Sequence, residues 1–446
     1  MADAIQAVAD WLFRPYVIAV LLGGGVFLSI RTGFVQVRRF RDGLKAMVAP
    51  QAQGASGALT PFQSFMTALA ASIGTGNIAG VATAIVSGGP GALFWIWVYG
   101  FVATSIKFAE ATLGIKYREA QGENVKCGPM YYLRDGMKSP ALAWVYAAVA
   151  GIAALTTTPF TQPNSIGVAV HYVFPTGTIA LPWLGEVSRT ALFTGIAVAV
   201  LTWAVIIGGV KSIGRAAESL APLKVGLYLA GGLVVIISFA GQIPHVLKLV
   251  VTEALTMQSG LGFGLFVAMR YGIARGVYAN EAGYGTAAVA YGTAKSNDPS
   301  QQGMQAVMEV FIVSFVTATI SALTILLTGV WNMGPTSTAV VASAFNMAIP
   351  GGGGGYIVAL CAFLFGYTTL IGWAYYGEQF LEYILGRSVT LPYRWIYCLL
   401  IPFGAIAKPT VVWAWGDLMN ALQVFPNMIG LVAMSGVVAA YARRKA

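Results

Sequence analysis

Residues 74–77, Gly-Thr-Gly-Asn, interrupt a long apolar run with groups that could bind a polar ligand. A helix in hydrocarbon pairs its backbone groups internally, so glycine and the Asn77 amide in its middle indicate a break. Amides freed at the start of a half-helix can hold a carboxylate, and carbonyls freed at a half-helix end, with hydroxyls, can coordinate Na⁺ or an ammonium group. We therefore predict a ligand site here. For Gly80, which completes a G-x-x-x-G spacing with Gly76, helix packing is the better interpretation.

A second apolar run, Gly260–Ala290, is interrupted by glycine and polar residues in the same way, and it is too long for one straight crossing. A pair of glycine-interrupted segments in corresponding positions is the best sequence indication of a transporter binding site. If the first apolar span is set aside, the two segments begin two halves of five spans each, and they cross in opposite directions. The sequence therefore predicts two inverted halves with a site between them.

The composition places the chain in a bilayer. Of its 446 residues, 57% are hydrophobic and only 9% are charged, and the mean hydropathy is +0.73. Soluble proteins carry about 25% charged residues. The apolar runs are near the ~20 residues that a helix needs to cross hydrocarbon, and no strand-like alternation accompanies them. The scattered cysteines and histidines indicate neither a disulfide framework nor a metal site.

The hydropathy pattern predicts eleven spans. They cover residues 12–30, 63–87, 90–115, 141–172, 190–209, 218–240, 258–292, 305–330, 355–384, 393–408 and 418–441. Asp3 and Asp10 stand where a cleavable signal would have basic residues, so we expect the first span to be retained. Most loop lysines and arginines fall on one side, and the positive-inside rule then puts the N-terminus outside and the C-terminus in the cytoplasm. We expect a multi-pass protein of the plasma membrane, the inner membrane in a bacterium, surrounded by lipid and without a nucleic-acid partner.

Four motifs, spread over most of the chain, carry a family resemblance: GTGNIAGVATAI (74–85), CGPMYYL (127–133), NEAGYGTA (280–287) and GWAYYGE (372–378). They resemble the alanine/glycine:cation symporter family. The resemblance implies an all-α polytopic protein with a leucine-transporter-like 5+5 inverted repeat and one extra N-terminal helix. The single domain of 1–446 would then comprise an extra helix and basic loop (1–50), a first repeat (60–240) and a second repeat (256–446). It also implies sodium-coupled symport of small neutral amino acids, alanine and glycine, into the cell by alternating access.

The same resemblance implies roles for individual residues. A substrate site would be built from the two interrupted helices and from spans four and nine, namely from Thr75, Gly76, Asn77, Gln162, Tyr278, Asn280 and Trp373. The amides of Thr75 and Gly76 would take the substrate carboxylate, and Trp373 would cap a pocket sized for a small side chain. Tyr278 and Asn280 would face the substrate amine.

A coupling sodium ion would be held by four residues, the carbonyls of Ala70 and Ile73 and the hydroxyls of Thr368 and Thr369. A second cation position would fall near Ser72 and Asn77. The motif GYTT (366–369) has threonine where the family often has serine, and this change preserves the hydroxyl.

Span four departs from the family pattern. The family resembles Gly-Asn-x-x-Gln-Ala-Asn-Ser there, whereas this chain reads TPFTQPNS from Thr158 to Ser165. Pro159 and Pro163 remove two backbone donors, and we expect them to kink the helix beside the pocket. The glutamine, Gln162, is retained, but its position relative to Trp373 is open. Alanine or glycine as the substrate is therefore less firmly implied than the class of transport.

Charged residues within the spans are functional candidates by default. Lys107 and Glu110, three residues apart, are expected to form a local ion pair. For Arg275 and Glu281, a pair that holds the break open and direct contact with the ligand are equally good interpretations. Proton coupling through Glu281 is an alternative to sodium. An ion channel is a rival class, and a membrane-embedded enzyme is another, although no H-E-x-x-H, G-x-S-x-G or P-loop motif occurs.

Overall fold

The structure is a computed structural model that describes residues 7, 11, 16–48, 50–182, 185–257, 264–334 and 337–444. Residues 12–15 of the first predicted span and 258–263 of the seventh lie outside these ranges. The rest of the chain is a bundle of helices joined by turns and two small hairpins.

The helices follow the order of the predicted spans. Those of the first half are α1 (Ile18–Arg31), α2 (Val35–Arg38), α3 (Phe40–Ala46), α4 (Pro61–Ser72), α5 (Ala79–Gly88), α6 (Ala92–Lys116), α7 (Pro129–Tyr131), α8 (Pro140–Thr156), α9 (Thr158–Val173), α10 (Arg189–Ile206), α11 (Gly209–Ser238) and α12 (Ile243–Leu255). Those of the second half are α13 (Leu265–Asn280), α14 (Thr286–Gly292), α15 (Pro299–Val310), α16 (Ala318–Thr328), α17 (Thr338–Ala348), α18 (Gly353–Leu385), α19 (Thr390–Ile406), α20 (Pro409–Ala433) and α21 (Ser435–Arg443).

Shorter elements connect these helices. The 3₁₀ segments are Thr75–Asn77, Ala240–Gln242, Val330–Asn332, Pro350–Gly352 and Arg387–Val389, and the π-helical segments are Tyr132–Gly136 and Phe311–Thr317. The antiparallel hairpins are β1 (Glu119–Gln121) with β2 (Asn124–Lys126), and β3 (Thr178–Leu181) with β4 (Gly185–Ser188). Both hairpins lie in loops between spans.

Each predicted span contains a helix. Within the described ranges, seven helices are long and apolar enough to cross a membrane, or up to 9 if each bent pair is one span. Five further helices, α2, α3, α7, α12 and α17, occupy segments that were predicted as loops. In α12 the buried residues Val246, Val250 and Ala254 recur every fourth position, which is the stripe of an amphipathic helix. Hydropathy averaged over a long window does not detect such a stripe.

The first broken helix consists of α4 and α5, which meet at an angle of 58°. A capping box fixes its start: the Gln63 amide donates to Thr60 Oγ1 (3.1 Å), and the Thr60 amide donates to Gln63 Oε1 (3.2 Å). The helix ends at Ser72, and Ile73 leaves the helical region with φ −80° and ψ 73°. The break therefore includes the 74–77 segment, as the glycine pattern predicts.

The second broken helix consists of α13 and α14. Glu281, directly after α13, has a left-handed φ of 57°, and Gly283 and Gly285 follow with φ of 96° and 87°. A glycine at the last two positions avoids the steric cost that a side chain would meet there. The five residues between the helices thus form a second break within the interrupted run Gly260–Ala290, whereas Tyr278 and Asn280 lie in the helix that precedes it.

Span four is interrupted at Thr157, between α8 and α9. Pro159 lies in the first turn of α9, where a helix has no intrahelical partner for its N–H groups, so the missing donor costs no bond. Thr158 precedes that proline, and residues before proline disfavour continued helix. Pro163 lies inside α9. Gln162 lies five residues after the interruption, at the start of the second turn of α9.

The expected ion pair of Lys107 with Glu110 is wrong, and so is the alternative that paired Arg275 with Glu281, because partners from distant helices lie closer than neighbours in sequence. Lys107 pairs with Glu309 at 2.9 Å and not with Glu110. Arg275 pairs with Asp417 on α20 and not with Glu281.

Candidate functional site

A cavity lies where the two broken helices face each other beside α9 and α18. Its volume is about 20 Å³, room for about one water molecule, so the cavity is nearly closed in this conformation. Its lining comes from both breaks and from three neighbouring helices: Ala71, Ser72, Gly74, Gly76, Thr157, Thr158, Gln162, Tyr278, Glu281, Tyr284, Thr369, Trp373 and Asn420. Four of the residues predicted to bind substrate are in this lining, namely Gly76, Gln162, Tyr278 and Trp373.

The two glycines of the first break let its backbone approach the opposite walls. A Cβ on Gly74 would lie 2.6 Å from Thr369 Oγ1, and a Cβ on Gly76 would lie 2.7 Å from Tyr278 Cδ1. Both distances are far below van der Waals contact. The glycines are therefore required for close approach as well as for the break itself.

Gln162 makes hydrogen bonds to the first break. Its Oε1 accepts from the Thr75 amide (3.0 Å) and from Thr75 Oγ1 (2.9 Å). The Thr75 amide is one of the two groups expected to take a substrate carboxylate. In this conformation, the neutral Gln162 oxygen therefore accepts the hydrogen bond that the Thr75 amide would donate to a substrate carboxylate.

Asn77 lies behind the cavity wall. Its side-chain Nδ2 donates to the Ser72 carbonyl (3.0 Å), which the break has freed. The backbone carbonyl of Asn77 accepts from Ser321 Oγ (2.6 Å). Its Oδ1 is buried and has no hydrogen-bond partner among the described residues. A buried acceptor without a partner is a candidate ligand for a cation or a water molecule.

The residues of the second break divide into two groups. Asn280 is not in the cavity lining: its Nδ2 donates to Ser314 Oγ (3.2 Å) and its Oδ1 accepts from the Ala282 amide (3.0 Å). Glu281 does line the cavity, and its carboxylate accepts from Trp373 Nε1 (2.6 Å) and Thr286 Oγ1 (2.9 Å). The predicted pocket cap, Trp373, therefore also orients Glu281, the acidic side chain among the described residues of the lining.

Glu110, on α6, holds the second break in shape. Its Oε1 accepts from the amides of Gly283 (2.9 Å) and Gly285 (3.0 Å) and from Asn427 Nδ2 (2.8 Å). Sequence reasoning paired this carboxylate with Lys107, its neighbour in sequence. It could not find the true partners, because the freed amides come from a segment 173 residues away. A carboxylate in an apolar span was the signal that a polar partner had to exist.

The oxygens predicted to hold sodium come together, but a side chain lies among them. The carbonyls of Ala70 and Ile73 and the Thr368 hydroxyl all accept hydrogen bonds from Lys224 Nζ. Thr369, the fourth predicted ligand, donates its hydroxyl to the Ala71 carbonyl at 2.7 Å. Sequence reasoning missed Lys224. A single lysine within the apolar span predicted at 218–240 was a usable signal.

Comparisons with known proteins agree with this architecture. The model of the sodium:alanine symporter family matches residues 1–444. The chain belongs to this family. It is 36% identical over 444 residues to the sodium/alanine symporter AgcS of Methanococcus maripaludis, covering 97% of this chain and 95% of that relative. It is 32% identical over 434 residues to the amino-acid carrier protein AlsT of Bacillus subtilis, covering 97% of this chain and 90% of that relative.

Among solved structures, the fold of this sodium:alanine symporter family member is similar to that of MhsT in complex with L-phenylalanine. The TM-score is 0.59 at 13% sequence identity, and the match covers 87% of this chain and 99% of that chain. The family resemblance drawn from the four motifs is thus confirmed, and so is the leucine-transporter-like helical fold. The chain is a multi-pass membrane protein of an amino-acid transport family, and its relatives are transporters rather than enzymes.

Proposed function

We propose that this protein is a secondary active transporter that carries small neutral amino acids, alanine and glycine above all, into the cell with sodium by alternating access. The observation that carries the proposal is the cavity between the two breaks. It combines backbone amides at a half-helix start, a carboxylate and an indole wall, which are the groups that recognise a carboxylate, an amine and a small side chain. Binding sites at the junction of two broken helices are typical of transporters that work by alternating access.

The substrate carboxylate is proposed to bind the first break. The amides of Thr75 and Gly76 belong to the short helical segment that begins there. The hydrogen bond from the Thr75 amide to Gln162 must break when a carboxylate binds. An ionised acceptor forms stronger hydrogen bonds than a neutral amide oxygen does, which favours the exchange.

The substrate amine is proposed to face the second break, toward Tyr278 and the Glu281 carboxylate. Asn280 supports that break from behind. Trp373 limits the length of the side chain, because its indole lies across the cavity and is fixed by its bond to Glu281.

Sodium is proposed to bind at the position near Ser72 and Asn77. The support is the buried Asn77 Oδ1, which lacks a partner in the described part of the chain, next to carbonyls that the break has freed. A cation beside the first break would also attract the substrate carboxylate, so that ion binding and substrate binding reinforce each other.

One observation favours a proton in place of sodium as the coupling ion. Glu281 is an acidic residue in the cavity wall, so a proton carried on it is the alternative to sodium. The two alternatives differ in driving force. An inward pH step without Na⁺ drives alanine uptake only if the proton is the coupling ion.

The test is uptake of labelled alanine by liposomes that contain the purified protein. An inward Na⁺ gradient should drive accumulation above the external concentration, and collapse of the gradient should release the label. Liposomes with Gly76→Val protein are the matched control, because the added side chain fills the contact with Tyr278. Absence of alanine binding and uptake under both Na⁺ and pH gradients would overturn the proposed function.

The proposed orientation has the N-terminus outside and the C-terminus in the cytoplasm, in a plasma membrane. A cysteine at Gly177, beside the β3–β4 hairpin, should then react with an impermeant thiol reagent in intact cells. A cysteine at Asn124, in the β1–β2 hairpin, should react only after the membrane is opened. The native cysteines Cys127, Cys361 and Cys398 are buried and provide a low background. The reverse pattern would invert the orientation.

A further inference from the structure

A buried lysine lies at the carbonyl end of the first half-helix. Lys224 Nζ donates to the carbonyl oxygens of Ala70 (2.9 Å) and Ile73 (2.6 Å) and to Thr368 Oγ1 (2.5 Å). The side chain exposes 0% of its surface. These oxygens are three of the four that family resemblance assigns to a sodium ion. A charged group of the chain itself therefore lies where a mobile cation is expected.

We propose that Lys224 replaces a coupling sodium ion at this position with a cation that is covalently part of the protein. The proposal rests on the proposed function, since it concerns the ions that the transport cycle uses. It leaves the second position, beside Asn77, as the place for sodium.

The hydrogen-bond inventory supports an ammonium ion as the occupant. A lysine ammonium has three N–H donors and no acceptor. Three oxygens accept from it here, so each donor has a partner. The Thr368 hydroxyl is directed at the carbonyls of Ala70 and Phe365 (both 3.1 Å), which leaves a lone pair for the lysine. The ring of Phe365, with its centroid 5.3 Å from Nζ, adds a cation–π contact.

The partners of Lys224 differ from those of Lys107, a second fully buried lysine. Lys107 is neutralised by the Glu309 carboxylate at 2.9 Å. In the described part of the chain, by contrast, the hydrogen-bond acceptors of Lys224 are backbone carbonyls and a hydroxyl. The carbonyls at the end of α4 carry the negative partial charge of a helix C-terminus. Lys224 is therefore held as a sodium ion would be held, by neutral oxygen dipoles.

A tethered cation changes what this position can do in transport. A sodium ion cannot share the three oxygens with the ammonium, because both carry positive charge and need the same lone pairs. Lys224 cannot dissociate into the cytoplasm, so this position moves no sodium across the membrane. Lys224 instead stabilises the first break in every turnover. When the cavity opens between α4 and α11, α4 has to separate from Lys224.

The first test counts sodium ions with ²²Na⁺ on purified protein. Lys224→Ala removes the ammonium and leaves the three oxygens, so this variant should bind one more Na⁺ per protein than wild type. Adding Thr368→Val to that variant should abolish the extra ion. Lys211→Ala is the matched control: it removes a surface lysine of the same helix, paired with Glu123 at 2.6 Å, and should bind as many ions as wild type. An unchanged count in folded Lys224→Ala protein would overturn the proposal.

The second test keeps Lys224 in place and does not depend on the folding of the alanine variant. Thr368→Val in the wild-type background should leave the number of Na⁺ ions bound per protein unchanged, since the hydroxyl serves lysine and not sodium. Loss of one bound ion in this variant would overturn the proposal. Failure of the proposed function gives a different result: wild-type protein then takes up no alanine, whereas the sodium count still decides the role of Lys224.

Discussion

The two breaks are stabilised by charges of opposite sign. At the first break, carbonyls freed at the end of α4 accept from the Lys224 ammonium. At the second break, amides freed after α13 donate to the Glu110 carboxylate. Each charge complements the partial charge of the backbone groups that it meets. Both side chains come from helices of the first half, so one half of the molecule supplies the charged support for both breaks.

The breaks differ in what remains available to a ligand. The amides of the second break are already bonded to a carboxylate, and its carbonyls at Ala282 and Tyr284 accept from Tyr99 Oη (2.8 Å) and Tyr146 Oη (2.7 Å). In the first break, the Thr75 amide is bonded only to the neutral Gln162, and Asn77 Oδ1 has no partner among the described residues. A substrate carboxylate can displace a neutral acceptor far more readily than a buried anion. We therefore expect the first break to supply the groups that exchange partners when the substrate carboxylate binds, and the second break to keep its shape.

The largest effect is expected from Glu110→Ala. The substitution leaves the buried amides of Gly283 and Gly285 without an acceptor, and each unsatisfied group costs about 1–3 kcal/mol. The free energy of unfolding should fall by about 2–6 kcal/mol, measured as a lower thermal midpoint in detergent. Glu110→Gln keeps an acceptor oxygen and is the matched control. Equal midpoints for Glu110→Ala and wild type would show that the second break does not depend on this carboxylate.

The next effect is expected from Gly76→Ala. Its Cβ would lie 2.7 Å from the Tyr278 ring, and such overpacking costs about 1–3 kcal/mol. Alanine binding should weaken about 5- to 150-fold, measured by competition against labelled alanine. Gly80→Ala is the control, because its Cβ would meet Arg275 Cδ at an ordinary 3.7 Å. Equal losses in both variants would place the binding element elsewhere.

Trp373 lies between the two breaks, and its truncation tests the size limit of the cavity. Trp373→Ala should let leucine compete for binding and should weaken alanine, because a small ligand then leaves space unfilled. One methylene changes binding by about 1–3 kcal/mol, so glycine and alanine should differ modestly in wild type while leucine fails to compete. Trp373→Phe keeps an aromatic wall but removes the bond to Glu281, which separates size from orientation. Leucine binding to wild type as well as alanine would contradict this wall.

The smallest effect is expected from Gln162→Leu. Removing the neutral acceptor frees the Thr75 amide for the substrate carboxylate, and the net value of such a hydrogen bond is about 0.5–1.5 kcal/mol. Alanine binding should therefore become about two- to tenfold tighter, measured by the same competition. Gln162→Glu, which places an anion at the amide, should weaken it. Weaker binding in Gln162→Leu would show that Gln162 contacts the substrate rather than competing with it.

Several features of this protein followed from the sequence alone. Its composition placed the chain in a membrane. Glycine with polar residues located the first break at 74–77 and placed the second within Gly260–Ala290, because a helix in hydrocarbon has to satisfy every backbone group that such a break frees. The four motifs identified the family, and through it the cluster of Ala70, Ile73 and Thr368. These properties are local or compositional, so no knowledge of helix packing was needed.

The choice of partners was decided only by the tertiary structure. Lys224 reaches Ala70 across 154 residues, Lys107 reaches Glu309 across 202, and Arg275 reaches Asp417 across 142. A buried charge binds whichever complementary group the packed helices bring within reach, and local spacing carries no information about that group. The sequence therefore predicted a cation at the end of the first half-helix, whereas the packing of α11 against α4 and α18 supplied that cation as a lysine.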